Sequence, residues 1–165
     1  MELRAEVLRL ALALAVLVAG VTAIRVVRYD GFTVKGVNME PAMMVGDDYL
    51  VRPDGNAGRG DVVVAEIAGG SNVLSRVIAV GGDVIEFADG QVLLNGAVLA
   101  EPYLAPGTRT EGPESGLLKT VVPPTTVYLM GDNRGSSQDS RIYGPVSADG
   151  VVGSVVDAWW WLPAD

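Results

Sequence analysis

The sequence predicts a mainly β protein: one antiparallel β domain behind a single N-terminal transmembrane helix. Three observations carry this expectation: an apolar stretch near the start, short β-branched runs through the rest of the chain, and turn residues between those runs. The 165 residues, 49% of them hydrophobic, suffice for one core rather than for two independent domains. Twenty-one Gly and nine Pro, spread without a period, fit short strands joined by tight turns better than a helical bundle or collagen.

The first element is the segment Leu10 to Ile24, which carries no charge and is flanked by Arg4 and Arg9 before it and Arg25 and Arg28 after it. Counted from Val7 to Val27, with Arg9 and Arg25 reaching toward the headgroups, it approaches the ~30 Å of a bilayer core at ~1.5 Å per residue. A cleaved secretory signal, cut after Ala23, meets the same description. The flanking arginines leave the orientation open. Residues 1–30 are therefore read as an anchor with short flanks, 31–158 as the β domain and 159–165 as a Trp-rich tail.

The β-branched runs place strands at Thr33–Val37, Asp48–Arg52, Asp61–Ile67, Val73–Val80, Asp83–Ala88, Val92–Asn95, Val127–Met130 and Val151–Val156. Asp89-Gly90 and Asn95-Gly96 stand between such runs and are the strongest hairpin signals in the chain. The segment Ala105–Thr120 lacks hydrophobic periodicity and is expected to be an exposed excursion without visible chemistry. Trp159, Trp160 and Trp161 suit either a membrane interface or a cap on the core.

Composition narrows the chemistry. A formal net charge of -8 with no Lys/Arg cluster argues against a nucleic-acid partner. Cysteine and histidine are both absent, which removes disulfides, thiolate nucleophiles, Ser-His relays and the commonest metal ligands. No metal and no cofactor are expected. Only Lys35 and Lys119 are available as lysine bases.

Three blocks then stand out: Val34-Lys35-Gly36-Val37-Asn38-Met39-Glu40-Pro41, Ser75-Arg76-Val77-Ile78-Ala79-Val80-Gly81-Gly82-Asp83, and Gly131-Asp132-Asn133-Arg134-Gly135-Ser136-Ser137-Gln138-Asp139-Ser140-Arg141. Gly46-Asp47, Gly60-Asp61-Val62-Val63, Asn95-Gly96, Glu101-Pro102-Tyr103 and Tyr143-Gly144-Pro145-Val146 stand in order around them. Together they resemble the bacterial type I signal peptidase family over roughly residues 31–156 and the anchor. The third block is the most specific, matching the family's GDNRxxSxDSR pattern at every fixed position.

The resemblance implies a serine endopeptidase that removes signal peptides from secreted preproteins, using a serine activated by a buried, neutral lysine. Here Asn38 stands before Met39 where the family keeps its serine, and Ser75 stands before Arg76-Val77-Ile78 where it keeps its lysine. An amide nitrogen is a poor nucleophile, and Ser75 has no histidine to activate it. No active catalytic residue is expected; Asn38 and Ser75 are degenerate dyad positions. The surrounding shell is retained in Gly36, Met39, Pro41, Arg76, Asp132, Asn133, Ser137, Asp139 and Arg141. In the family, the serine matching Ser137 hydrogen-bonds the lysine, and the pair matching Asp139 and Arg141 holds its loop.

The expectation is a single-pass membrane pseudoenzyme of the secretory pathway, with its domain on the extracytoplasmic side by family resemblance. Its partners would be the membrane, extended peptide clients such as signal peptides or pilin-like proteins, or an active paralogous peptidase. The alternative is an active endopeptidase with a displaced dyad built on Ser75.

Overall fold

The computed structural model describes residue 7 and residues 9–17, 29–53 and 57–156. Residues 9–17 form a helix, α1, whose side chains are exposed, Leu10, Leu12 and Leu14 among them. No helix among the described residues is long and apolar enough to cross a membrane. The rest of the expected anchor, including Arg4, Arg25 and Arg28, and the tail with Trp159, Trp160 and Trp161 lie outside the described residues.

From Asp30 onward the chain is antiparallel β. Strands β1 (Asp30–Thr33), β2 (Asp48–Arg52), β3 (Val62–Ile67) and β4 (Ser71–Val80) precede β5 (Val84–Ala88), β6 (Gln91–Leu94) and β7 (Ala97–Val98). Then follow β8 (Lys119–Val121), β9 (Thr126–Met130), the short helix α2 (Ser140–Tyr143), β10 (Val146–Ser147) and β11 (Val151–Val156). They make a seven-stranded sheet in the order β1-β2-β11-β3-β4-β9-β10 and a four-stranded sheet in the order β7-β6-β5-β8.

The expected β2 and β11 have the bounds the β-branched runs predict. Both hairpin signals hold: Asp89 and Gly90 turn at φ 54° and 79°, and Asn95 and Gly96 at 53° and 85°. These paired positive angles define the tight turn whose twist matches that of the flanking strands.

The expected strand Thr33–Val37 is a correction. Pairing with β2 ends at Thr33, and residues 37–39 form a 3-10 turn instead. β-Branched residues favoured the extended reading, but tertiary contacts override it: Met39 turns inward and is fully buried with Val34, Met43, Val51, Val64 and Leu74. The segment Ala105–Thr120 is also less plain than expected, since it ends in β8, which completes the small sheet against β5.

Alternation along β3 sends Val63 and Ala65 to one face, in a cluster with Val77 and Leu129, and Val64 to the other, beside Met39. A further cluster of Ile78, Ile85, Phe87, Val92 and Tyr128 joins the two sheets. At the corner between them Asp83 accepts from the Val80 N–H (2.9 Å), from Asn95 Nδ2 (2.9 Å) and from Arg59 Nε (2.7 Å). Burial pushes the Asp83 carboxyl up, but those hydrogen bonds outweigh it and hold the group at about 2.

Candidate functional site

The three blocks meet on one side of the large sheet, each tied to the next by hydrogen bonds. Asn133 clamps the 3-10 turn: its N–H donates to the Asn38 carbonyl (2.9 Å) and its side-chain amide to the Val37 carbonyl (3.1 Å). Met39 anchors the turn from below, as its burial requires. The cis peptide bond Glu40-Pro41 follows directly.

From this turn the Asn38 side-chain amide donates to the carbonyl of Leu74, the residue before Ser75. Asn38 and Ser75 are therefore neighbours through the main chain. They share no direct side-chain hydrogen bond. Ser75 is fully buried, and its hydroxyl and that of Ser137 have no partner among the described residues. Gly131 marks how closely the chains approach here. A Cβ on it would lie 2.3 Å from Ser137 Oγ and 2.5 Å from the Asn38 carbonyl oxygen, so only glycine fits.

The second block is joined to the third by a forked ion pair. Arg76 Nε and Nη2 donate to the two Asp132 oxygens at 2.9 and 2.6 Å, while Nη1 donates to the Gly60 carbonyl at 2.8 Å. The guanidinium lies 3.9 Å from the centre of the Tyr103 ring, which shields it further. Two parallel N–H···O bonds fix direction as well as distance, so this pair orients β4 against the loop after β9.

Asp139 organises the rest of that loop. It accepts from the Gly131 N–H (3.1 Å), from the Arg141 N–H (3.1 Å) as the cap of α2, and from Arg141 Nε and Nη2 at 2.9 and 2.8 Å. Burial lowers the affinity of the Arg141 guanidinium for its proton, but the Asp139 carboxylate reverses this and raises it. Burial also pushes the Tyr103 and Tyr128 phenols well above their ordinary value and Tyr143 to about 12, so none of these three becomes a base near neutral pH.

The sequence reading missed Arg134. Its buried guanidinium donates to both oxygens of Glu101, to Thr110 Oγ1 at 2.5 Å and to the Gly131 carbonyl at 3.1 Å. Glu101 and the excursion holding Thr110 are thereby fastened to the site. The signal lay in the sequence, since Arg134 is a fixed position of the third block and Glu101-Pro102-Tyr103 stood among the supporting pieces. Nothing in the spacing paired them.

Neither lysine stands in a buried position beside Ser75. Lys119 forms an ion pair with Glu86 (2.8 Å) on the small sheet and is 62% exposed. Lys35 is exposed on the wall of a groove of about 650 Å³ that is also lined by Phe32, Asn38, Asn72, Leu74 and Gln138. Among the described residues no group of His, Cys, Asp or Glu is arranged to hold a metal ion.

The turn, strand and loop that carry the three blocks converge on one groove of an antiparallel β scaffold, and this arrangement is that of a peptidase family. More specifically, the chain belongs to the family described as signal peptidase, peptidase S26, which matches residues 5–160. It is 33% identical over 162 residues to signal peptidase I V of Bacillus subtilis (strain 168), covering 88% of this chain and 95% of that protein. It is 30% identical over 146 residues to signal peptidase IB of Staphylococcus aureus, covering 78% of this chain and 76% of that protein. The crystal structure of a signal peptidase I from Enterococcus faecalis V583 superposes with a TM-score of 0.53 at 27% identity, over 61% of this chain and 97% of that one.

Proposed function

We propose that this chain is a catalytically inactive signal peptidase homologue of the secretory pathway, which holds extended peptide segments without cutting them. The observation that carries the reading is a groove beside Asn38 and Ser75 at which no serine-lysine pair stands. Asn38 commits its amide to a main-chain carbonyl, Ser75 is buried, and neither lysine stands beside it. Asn38 and Ser75 act in this reading as degenerate dyad positions inside a retained shell. Clients are signal-peptide-like or pilin-like segments, or the protein assists an active peptidase of the same family.

Residues 1–30 serve as a single-pass membrane anchor, with residues 31–158 on the extracytoplasmic side and residues 159–165 at the membrane surface. Support comes from α1, whose exposed leucines find nothing in the β domain to bury them. The test uses the full chain in detergent, a secretory preprotein and a serine-directed acylating probe. No cleavage and no covalent adduct are expected, together with saturable binding of the preprotein. Cleavage, or an adduct on Ser75, overturns the reading in favour of an endopeptidase with a displaced dyad.

A further inference from the structure

Which peptide groups face the groove follows from hydrogen-bond alternation, in which successive residues of an antiparallel strand turn to opposite sides. The Val77 N–H donates to the Asp61 carbonyl (2.9 Å) and its carbonyl accepts the Gly60 N–H (2.8 Å), so Val77 faces the β3 side. Residues an odd number away, Arg76 and Leu74, then face the other side, and Asn72 with them. Arg76 meets Met130 of β9 there, but β9 pairs no further, so Leu74 and Asn72 turn their peptide groups toward the groove, where no strand among the described residues pairs with them. On the opposite wall the Val34 N–H donates to the Asp47 carbonyl (2.9 Å) and its carbonyl accepts the Gly46 N–H (2.9 Å), which turns Thr33 and Lys35 toward the groove.

Two open strand edges thus face one groove, and their natural occupant is a third extended strand, pairing with either or both. One of the acceptors that this strand needs is already taken. The Leu74 carbonyl holds the side-chain amide of Asn38, where the N–H of an added strand would otherwise donate.

We infer that Asn38 occludes its own groove: its amide stands in for a client peptide N–H on the Leu74 carbonyl, and a bound strand must displace it. The inference rests on the peptide-binding reading above and adds a specificity role to a position where no chemistry remains. The side chain sets the strength and the register of binding, because peptide that fails to pair at Leu74 gains nothing from displacing it. Gly36 leaves room for the amide, since a Cβ there would come within 2.9 Å of Asn38 Oδ1.

The experiment measures fluorescence anisotropy of a labelled apolar decapeptide with small residues near its C-terminus, titrated with the full chain in detergent micelles. A series of the same peptide, each member N-methylated at one amide, is titrated alongside. Asn38→Ala should bind the unmodified peptide about fivefold more tightly than the wild type, the size of one net hydrogen bond. Methylation at one position should abolish that gain while changing wild-type affinity little, a coupling that mere loosening of the turn would not give. In the wild type, the Asn38 side-chain amide NMR resonances should shift on saturation with peptide, which tests displacement without any variant. Equal affinities, the same methylation profile and unmoved amide resonances, with peptide still bound, overturn the occlusion and leave the peptide reading standing. Failure of every variant to bind peptide overturns both.

Discussion

The Arg134 clamp gives the sharpest test of what holds the site in place. Its side chain is 1% exposed and that of Glu101 9%, so the pair is buried, and both Glu101 oxygens accept from it. Arg134→Met keeps much of the volume and removes every donor, leaving the Glu101 carboxylate, Thr110 Oγ1 and the Gly131 carbonyl without that partner. Breaking one side of a buried ion pair costs about 3–5 kcal/mol, because the remaining charge is uncompensated. That is a large share of the roughly 5–15 kcal/mol expected for a domain of this size. The partner change Glu101→Leu should then recover part of the loss, since a buried pair replaced on both sides by apolar residues is often neutral. The assay is urea denaturation of the single variants and the double, with hydrogen exchange to localise the change to residues 101–118. A cost below about 1 kcal/mol for Arg134→Met would refute the argument. So would a double variant as unstable as the two singles added together.

Two further outcomes follow from the geometry. Asp83 is held at about 2, below its ordinary 3.8, so its contribution is fully present above pH ~4 and is lost as pH falls toward ~2. Because Arg59 is 51% exposed, screening limits that contribution. Asp83→Asn should therefore reduce the loss of unfolding free energy between pH ~6 and pH ~2.5 by about 1–2 kcal/mol, measured by urea titration at each pH. Gly131→Ala places a Cβ 2.5 Å from the Asn38 carbonyl oxygen, and a main-chain atom cannot step aside cheaply. It should lower stability by about 1–3 kcal/mol and loosen the turn at residues 37–39, read as faster amide exchange of Asn133, whose N–H donates to that carbonyl.

Much of this architecture was legible because local rules and tertiary packing agree. The β-branched run at 61–67 gave β3 to within one residue, and Asp-Gly and Asn-Gly gave the turns, since few residues tolerate a positive φ at two successive positions. Where they disagree, local rules fail. Val34 and Val37 favour an extended chain, but the need to bury Met39 and to present Val37 and Asn38 carbonyls to Asn133 bends it into a turn. The short strands β7, β8 and β10, of two or three residues, carry too few side chains for a period to show. Of the site, the motif residues were visible one by one, whereas the ties between them were not: spacing carries no trace that Arg76 reaches Asp132 or that Arg134 reaches Glu101.

The same ties bear on whether two side chains are all that separates this chain from a working Ser-Lys centre. Asn38→Ser removes the amide from the Leu74 carbonyl and places a hydroxyl in the turn that Asn133 clamps. Ser75→Lys sets four methylenes and an amine into a fully buried position, where overpacking costs about 1–3 kcal/mol. The Ser137 hydroxyl, which has no partner among the described residues and crowds the Cβ side of Gly131, is the group expected to accept from the new amine. Burial would lower the affinity of that amine for its proton, which is the condition for it to act as a base. Neither single variant should cleave, since a serine without a base stays weakly nucleophilic and a base without a serine has nothing to activate. The double variant should cleave a preprotein in detergent, and its rate should far exceed the product of the two single effects. Wild-type activity equal to that of the double would refute the inactive reading. A folded double variant that binds peptide and does not cut would instead show that the groove has drifted as well as the two positions.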